Sequence, residues 1–333
     1  MSARVHRETY CGQQAVRLEN GALEAVAVPG WGGNLIALRE AERGVQILRE
    51  PSSAAEYGAK PALFGIPVLF PPNRIADGVF HWGGRTYRWP LTEPERCNHI
   101  HGFLHTRPWQ LAWAEAAGGE AALEMRFDAR EHPDVLAVYP HPFVVSITYI
   151  LRGDALAQRA VVSNEGGEPM PWGLGYHTTF RFPFRAGDAL ENCRLRVSID
   201  KQWELDERLL PTGRQFEPAD RRAWQTGFTP AGRALDDAFS GAPAEGADGA
   251  DGWGAAVLED SGCGLAAVYR CAPGYRHWVV YNADSRQGFV CPEPYTWITN
   301  APNLDLPADA TGFAVLAPGG RAVLESEIAV RRI

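Results

Sequence analysis

The distribution of apolar and polar positions along the chain is that of a β protein. Phe143–Leu151 ("FVVSITYIL") alternates and is rich in β-branched and aromatic residues, the signature of a half-buried strand. Leu23–Glu40 ("LEAVAVPGWGGNLIALRE") reads as two strands around a Pro-Gly-Trp-Gly-Gly break. Gly78–Trp89 ("GVFHWGGRTYRW") predicts a hairpin, because Gly83-Gly84 can supply the positive φ angles of a tight turn. Tyr275–Asn282 and Gly312–Val330 predict further short strands. No amphipathic helix of useful length is visible; Ser53–Gly58 predicts one or two helical turns.

The 35 glycines and 25 prolines recur at the breaks, as in a large sandwich or barrel. Gly241–Gly254 ("GAPAEGADGADGWG") has little to bury and reads as a surface loop or hairpin excursion, since strand patterns continue on both sides. With no repeat at 20–50 residues, the expectation is one all-β domain over residues 1–333, a single large antiparallel β-sandwich with few short helices.

Charge and composition narrow the function. A net charge of -8 argues against nucleic-acid or anionic-membrane partners. No apolar run approaches the roughly 20 residues needed to span a bilayer, and the N-terminal stretch lacks the apolar core of a secretory signal, so the expected location is cytoplasmic. The six cysteines form no CxxC pair and no Cys/His cluster with zinc spacing, so neither disulfides nor a metal site are expected. The 35 aromatic residues (11 Trp, 10 Tyr, 14 Phe) suit strands and also pockets whose ligands carry both C–H faces and hydroxyls.

Four polar clusters interrupt apolar or Pro/Gly-rich surroundings: Asn73 and Arg74 in "FPPNRIADG"; His99, His101 and His105 in "CNHIHGFLHTRPW"; His177 in "PWGLGYHTTFRFPF"; and Glu293 in "FVCPEPYTWITNAP". Taken singly, Arg74 reads as a solvated or ion-paired arginine and His177 as a hydrogen-bonded core histidine. Glu293 stands out, because a glutamate ending a buried strand must be paired or functional.

In order along the chain, "FPPNRIADGVFHWGGRTYRWP", "HGFLHTRPW", "PWGLGYHTTFRFP", "LLPTGR", "ALDDAFSG", "CPEPYTWITNAPN" and "VLAPGG" resemble the aldose 1-epimerases (galactose mutarotases), from about residue 22 to the C-terminus. The variant "HGFLHTRPW" and "CPEPYTW" motifs resemble divergent bacterial members. The resemblance implies a galactose mutarotase-like supersandwich with a sugar cleft. It also implies His177 as general acid, Glu293 as general base, and Arg74, His101 and Asp236 as residues holding sugar hydroxyls, with Asp237 a competitor for the last position. Tyr176, Phe180 and Trp297 lie beside these groups and are candidate stacking walls or ordinary core. The implied activity is interconversion of hexose α and β anomers, without cofactor or metal. The only implied partner is a small-molecule sugar, and the chain is expected to act as a monomer or homodimer. Two alternatives accompany this expectation. One is a hexose-6-phosphate 1-epimerase, for which Arg96, Arg107 and Arg181 are candidate phosphate contacts. The other is a non-catalytic sugar-binding protein. A glycoside hydrolase would require two carboxylates at the scissile bond.

Overall fold

The computed structural model describes residues 2–333. Three sheets carry the architecture, and every strand pairing within them is antiparallel. A five-stranded sheet holds the first strands, Arg4–Tyr10 to Val45–Gln46, in chain order. An eight-stranded sheet runs Gln110–Ala117, Glu120–Asp128, Phe143–Arg152, Ala155–Asn164, Arg321–Arg332, Leu265–Cys271, Gly254–Asp260, Cys193–Val197. A second eight-stranded sheet runs Pro211–Phe216, Ile199–Leu205, Asp236–Gly241, His277–Tyr281, Phe289–Tyr295, Gly175–Tyr176, Val68–Leu69, with Phe180–Arg181 also paired to Phe289–Tyr295. The C-terminal strand Arg321–Arg332 lies between strands from the middle of the chain, so the sheet forms only when distant segments meet.

The two eight-stranded sheets pack face to face. Tyr269 of one lies 6.0 Å from Trp278 and 5.9 Å from Phe180 of the other, ring to ring. Thr178 donates its hydroxyl to the Tyr269 hydroxyl at 3.2 Å across the same interface. Successive strand residues point to opposite faces. Thr178, Phe180, Trp278 and Val280 therefore fill the core, while His177, Thr179, Val279 and Tyr281 face away from it.

The patterns read from the sequence reappear as strands and turns, with ends shifted by a few residues. Gly83 and Gly84, at φ +58° and +76°, join Val79–Trp82 to Arg85–Arg88. Leu23–Val28 and Asn34–Glu40 flank the Pro29–Gly33 break. Ser53 caps the short helix Ala54–Ala59 by accepting from the Glu56 amide. The Gly241–Gly254 excursion joins two strands of different sheets and contains a short 3-10 helix, Gly246–Gly252. All six cysteines are free thiols, four of them buried. No described helix is long and apolar enough to cross a membrane.

Many histidines are enclosed by this β framework. His99, His141 and His277 are each 2 % exposed or less. His99 contacts the Pro90 carbonyl oxygen at 2.7 Å and His141 meets the Tyr87 hydroxyl at 2.8 Å, partners that a neutral imidazole can use. Burial pushes His99, His105 and His141 down to about 4 and His277 down to about 3, from 6.5. A depressed folded-state value stabilises the fold fully above pH 6.5, and that stability is lost as pH falls toward the folded value, by up to about 1.4 kcal/mol per pH unit and group. Urea denaturation at pH 7 and pH 5 should therefore show a midpoint lower at pH 5, with several kcal/mol of stability lost. An unchanged midpoint would contradict the burial of neutral imidazoles.

Candidate active site

The outer face of the second sheet brings the scattered candidates together. Phe180 pairs with Val290 and Arg181 with Phe289, so Thr179 falls opposite Cys291 and His177 opposite Glu293. On the next strands Tyr281 pairs with Cys291, and Asp236 with Tyr281. Directly opposed residues of an antiparallel pair share a face. His177, Glu293, Thr179, Cys291, Tyr281 and Asp236 consequently form the floor of one site.

His177 Nε2 lies 3.2 Å from Glu293 Oε1, and the two residues are only 5 % and 1 % exposed. The His177 amide is held by the Pro67 carbonyl at 3.1 Å. Burial drives Glu293 well above the ordinary carboxylate range and His177 down to about 3. Both shifts favour the uncharged forms. Against them, Tyr295 donates its hydroxyl to Glu293 Oε2, and the Arg74 charge favours the carboxylate. The 3.2 Å contact lets one proton serve both residues, and burial makes a Glu293 carboxylate strongly basic and a His177 imidazolium strongly acidic.

Arg74 does not pair with a surface acid. Its Nε and Nη2 engage both oxygens of Glu93 at 2.7 and 2.9 Å, with both side chains about nine-tenths buried. Glu93 also accepts from Asn98 Nδ2 at 2.9 Å. Asn73 accepts from the Arg74 amide at 2.9 Å and donates to the Tyr295 hydroxyl at 3.2 Å. Glu93, Arg74, Asn73, Tyr295 and Glu293 thus form one connected chain. Asn300 anchors it from outside, accepting from the Ala76 amide at 3.0 Å while its own amide donates to the Arg74 carbonyl at 2.8 Å.

His101 reaches the site through an unusual backbone. Its φ is +66° and that of Gly102 is +64°. A Cβ on Gly102 would sit 2.1 Å from the Phe70 carbonyl oxygen, so only glycine fits there. The His101 ring packs edge-on against His177 with centroids 5.3 Å apart, and burial holds it well below its ordinary value, a neutral group beside the pair. His99 and His105 do not join the site floor as hydroxyl contacts: His99 packs against Trp89 and Phe103, and His105 packs against His101.

Strand alternation separates the two candidate aspartates. Asp236 faces the site at its mouth, where partial desolvation raises its carboxyl and Arg74 and Arg96 oppose the rise. Asp237 turns to the other side and accepts from Gln202 Nε2 at 2.8 Å.

The expected aromatic walls require correction. Tyr176 is adjacent to His177 and therefore points to the opposite face, into the core, where its ring packs 5.9 Å from Tyr275. Phe180 likewise packs on Tyr269. Trp297 is 1 % exposed, stacked at 9° on Phe313 and packed beneath Gly173, with its indole N–H donated to the Pro72 carbonyl at 3.3 Å; it braces the Asn73–Arg74 segment. The aromatic residue that does face the site is Tyr281, 6.1 Å from His177 ring to ring. Its signal was the alternation in "HWVVYN", which needs the pairing partner before its phase has meaning. Of the candidate phosphate contacts, Arg96 pairs with Glu93 and Glu95, and Arg107 with Asp134 and the Phe103 carbonyl.

Among the described residues, two groups of side chains could hold a metal ion. The ligand atoms of His177, Cys291 and Glu293 lie within 4.8 Å of one another, as do those of Asp188, Asp260 and Cys263. In the second group Asp260 is already committed to the amides of Phe184 and Gly262, at 2.9 and 3.0 Å.

Known proteins share this arrangement of strands. A galactose mutarotase-like protein from Clostridium acetobutylicum superposes with a TM-score of 0.95 at 31 % identity, over 100 % of this chain and 99 % of that one. Galactose 1-epimerase from Lactobacillus acidophilus shares the fold, with a TM-score of 0.74 at 16 % identity over 99 % of both chains. Among curated sequences, the uncharacterized Escherichia coli K12 protein YihR is 31 % identical over 44 % of each chain, and mouse galactose mutarotase is 28 % identical over 57 % of this chain and 54 % of that one. The match thus spans about half the length of these curated relatives. The sequence model of the aldose 1-epimerase family matches residues 14–329, nearly the whole length, and the chain belongs to that family.

Proposed function

We propose that the protein is a mutarotase, an isomerase that interconverts the α and β anomers of a hexose by acid/base ring opening. The observation that carries this reading is the buried contact of 3.2 Å between His177 and Glu293 on the floor of a polar site. In the reaction, Glu293 takes the proton from the C1 hydroxyl while His177 gives a proton to the ring oxygen. The C1–ring oxygen bond breaks, leaving an open-chain aldehyde. Rotation about C1–C2 presents the other face of the carbonyl, and closure reverses the two proton transfers. Atoms and charge balance without an external reagent.

The environment suits both roles. A buried carboxylate accepts a proton more readily than one in water, and a buried imidazolium surrenders its proton more readily. The reactive form, carboxylate plus imidazolium, is reached by moving one proton across the existing contact, with no change in net charge. Arg74, His101 and Asp236 surround the pair and are assigned to hold sugar hydroxyls, with Tyr281 as an apolar wall. The substrates assigned first are free D-glucose and D-galactose.

Polarimetry of freshly dissolved α-D-glucose and α-D-galactose tests the reading. The protein should accelerate the approach to anomeric equilibrium; failure with a panel of aldoses would overturn it. His177→Ala and Glu293→Gln should each lower the rate by roughly 10²–10⁴, the usual worth of an acid/base group, and wild-type rates in both would reject the assigned roles.

Tyr295→Phe supplies a pH test. The tyrosine hydroxyl stabilises the Glu293 carboxylate, so its removal raises the carboxyl further. A base must be deprotonated to act. The loss of kcat/KM on acidification should therefore begin at higher pH in the variant, and an unmoved acidic limb would count against Glu293 as the base.

A further inference from the structure

Cys291 lies on the floor of the site, and the proposed reaction gives it no task. It is fully buried and stands two residues before Glu293 on the strand Phe289–Tyr295, so the two side chains share a face. His177 reaches the same place from the strand opposite. The Cys291 Sγ, one ring nitrogen of His177 and one carboxylate oxygen of Glu293 all lie within 4.8 Å of one another, and His177 Nε2 is 3.2 Å from Glu293 Oε1. A tetrahedral zinc ion, with bonds of about 2.0–2.3 Å, sets its ligand atoms about 3.4–3.6 Å apart. The widest pair here has to close by at most roughly 1 Å to reach that spacing. No zinc spacing shows in the sequence because the three ligands come from two strands that meet only on pairing.

The surroundings hold these groups as ligands are held. Tyr295 donates to Glu293 Oε2, which leaves Oε1 turned toward His177. Thr179 Oγ1 is 3.5 Å from His177 Nδ1 and 3.4 Å from Cys291 Sγ, so one hydroxyl joins the ring to the thiol. Partners behind the ligands fix the ring orientation and tautomer of a metal-bound histidine. Charge points to a divalent ion. A thiolate and a carboxylate carry two negative charges and a neutral imidazole none, so a dication makes the buried centre neutral, which spares the desolvation cost of an unpaired charge. The nearby Arg74 is already neutralised by Glu93. Thiolate and imidazole favour soft ions such as Zn²⁺ and Cd²⁺ over Mg²⁺ and Ca²⁺, which take oxygen ligands. We infer that His177, Cys291 and Glu293 form an inhibitory binding site for a soft divalent cation, Zn²⁺ in the first place. A metal–sulfur bond forms as the Cys291 S–H bond breaks, and the proton leaves to solvent. The ion then occupies the ring nitrogen and the carboxylate that ring opening requires. The inhibition rests on the mutarotase reading; the binding does not.

Cadmium reports the sulfur directly. Cd²⁺ added to the full chain should produce the ultraviolet charge-transfer absorption of a cadmium–thiolate bond, and Zn²⁺ should displace it. Replacing the two thiols that are not buried, Cys11→Ser with Cys97→Ser, should leave that absorption in place, whereas Cys291→Ser should remove it. By calorimetry Cys291→Ser should weaken Zn²⁺ binding by at least roughly 100-fold, more than the loss of an outer partner usually costs. If Cys291→Ser does not fold, Glu293→Gln decides by the same loss of Zn²⁺ affinity. In polarimetry, Zn²⁺ in excess over its Kd should slow mutarotation by roughly tenfold or more, and a chelator should restore the rate. No cadmium–thiolate absorption, unchanged Zn²⁺ affinity in the folded variant, or mutarotation that Zn²⁺ leaves unchanged or speeds would overturn the inference. The two readings fail separately. Mutarotation without the absorption refutes only the cation site. An absorption that depends on Cys291, without mutarotation of any sugar, refutes the enzymatic reading and leaves the cation site standing.

Discussion

The structure turns on one constraint, the antiparallel register that sets His177 against Glu293. The two residues are 116 positions apart in the chain and meet because Phe180 pairs with Val290 and Arg181 with Phe289. A slip of one residue would send every side chain on that strand to the other face. It would bury Thr178 and Phe180 in the site and place His177 against the hydroxyl of Tyr269 in the core. The face-to-face packing of the two large sheets, with Trp278, Phe180 and Tyr269 locked between them, is therefore what holds the imidazole and the carboxyl in contact.

Burial alone would leave the pair uncharged and inert. The surrounding polar chain opposes this without reversing it. Glu93 neutralises and aims Arg74, Asn73 joins Arg74 to Tyr295, and the Tyr295 hydroxyl reaches Glu293. Each link is buried and satisfied, so the network is rigid, and its electrostatic effect on the carboxylate is strengthened by the low local dielectric. Around it, residues with no chemistry of their own hold the backbone: Trp297 through the Pro72 carbonyl, Asn300 through the Arg74 strand, and Gly102 through a left-handed turn that no residue with a Cβ can occupy beside Phe70.

Much of this was legible in the sequence. Alternation and turn residues gave the hairpin at Gly83-Gly84, the strand from Phe143 and the all-β class. The resemblance in motif order picked out His177, Glu293, Arg74, His101 and Asp236, which the structure gathers around one site. What escaped were properties that exist only after pairing. Tyr176, open between sugar wall and core from the sequence, is core, because neighbours on a strand face opposite ways. Trp297, open in the same way, is packed between Phe313 and Gly173. Glu93, the partner of Arg74, lies in "LTEPERC", which carries no periodic signal. Tyr281 becomes a site residue only through the pairing that sets it beside Asp236 and Cys291.

The central claim is that His177 and Glu293 act together on the anomeric centre. A crystal structure of the Glu293→Gln variant with a bound hexose tests it most directly. The account predicts the ring oxygen within hydrogen-bond reach of His177 Nε2 and the C1 hydroxyl against the side chain at position 293, with Arg74 and Asp236 on the remaining hydroxyls. A sugar whose anomeric carbon points away from both residues would contradict it.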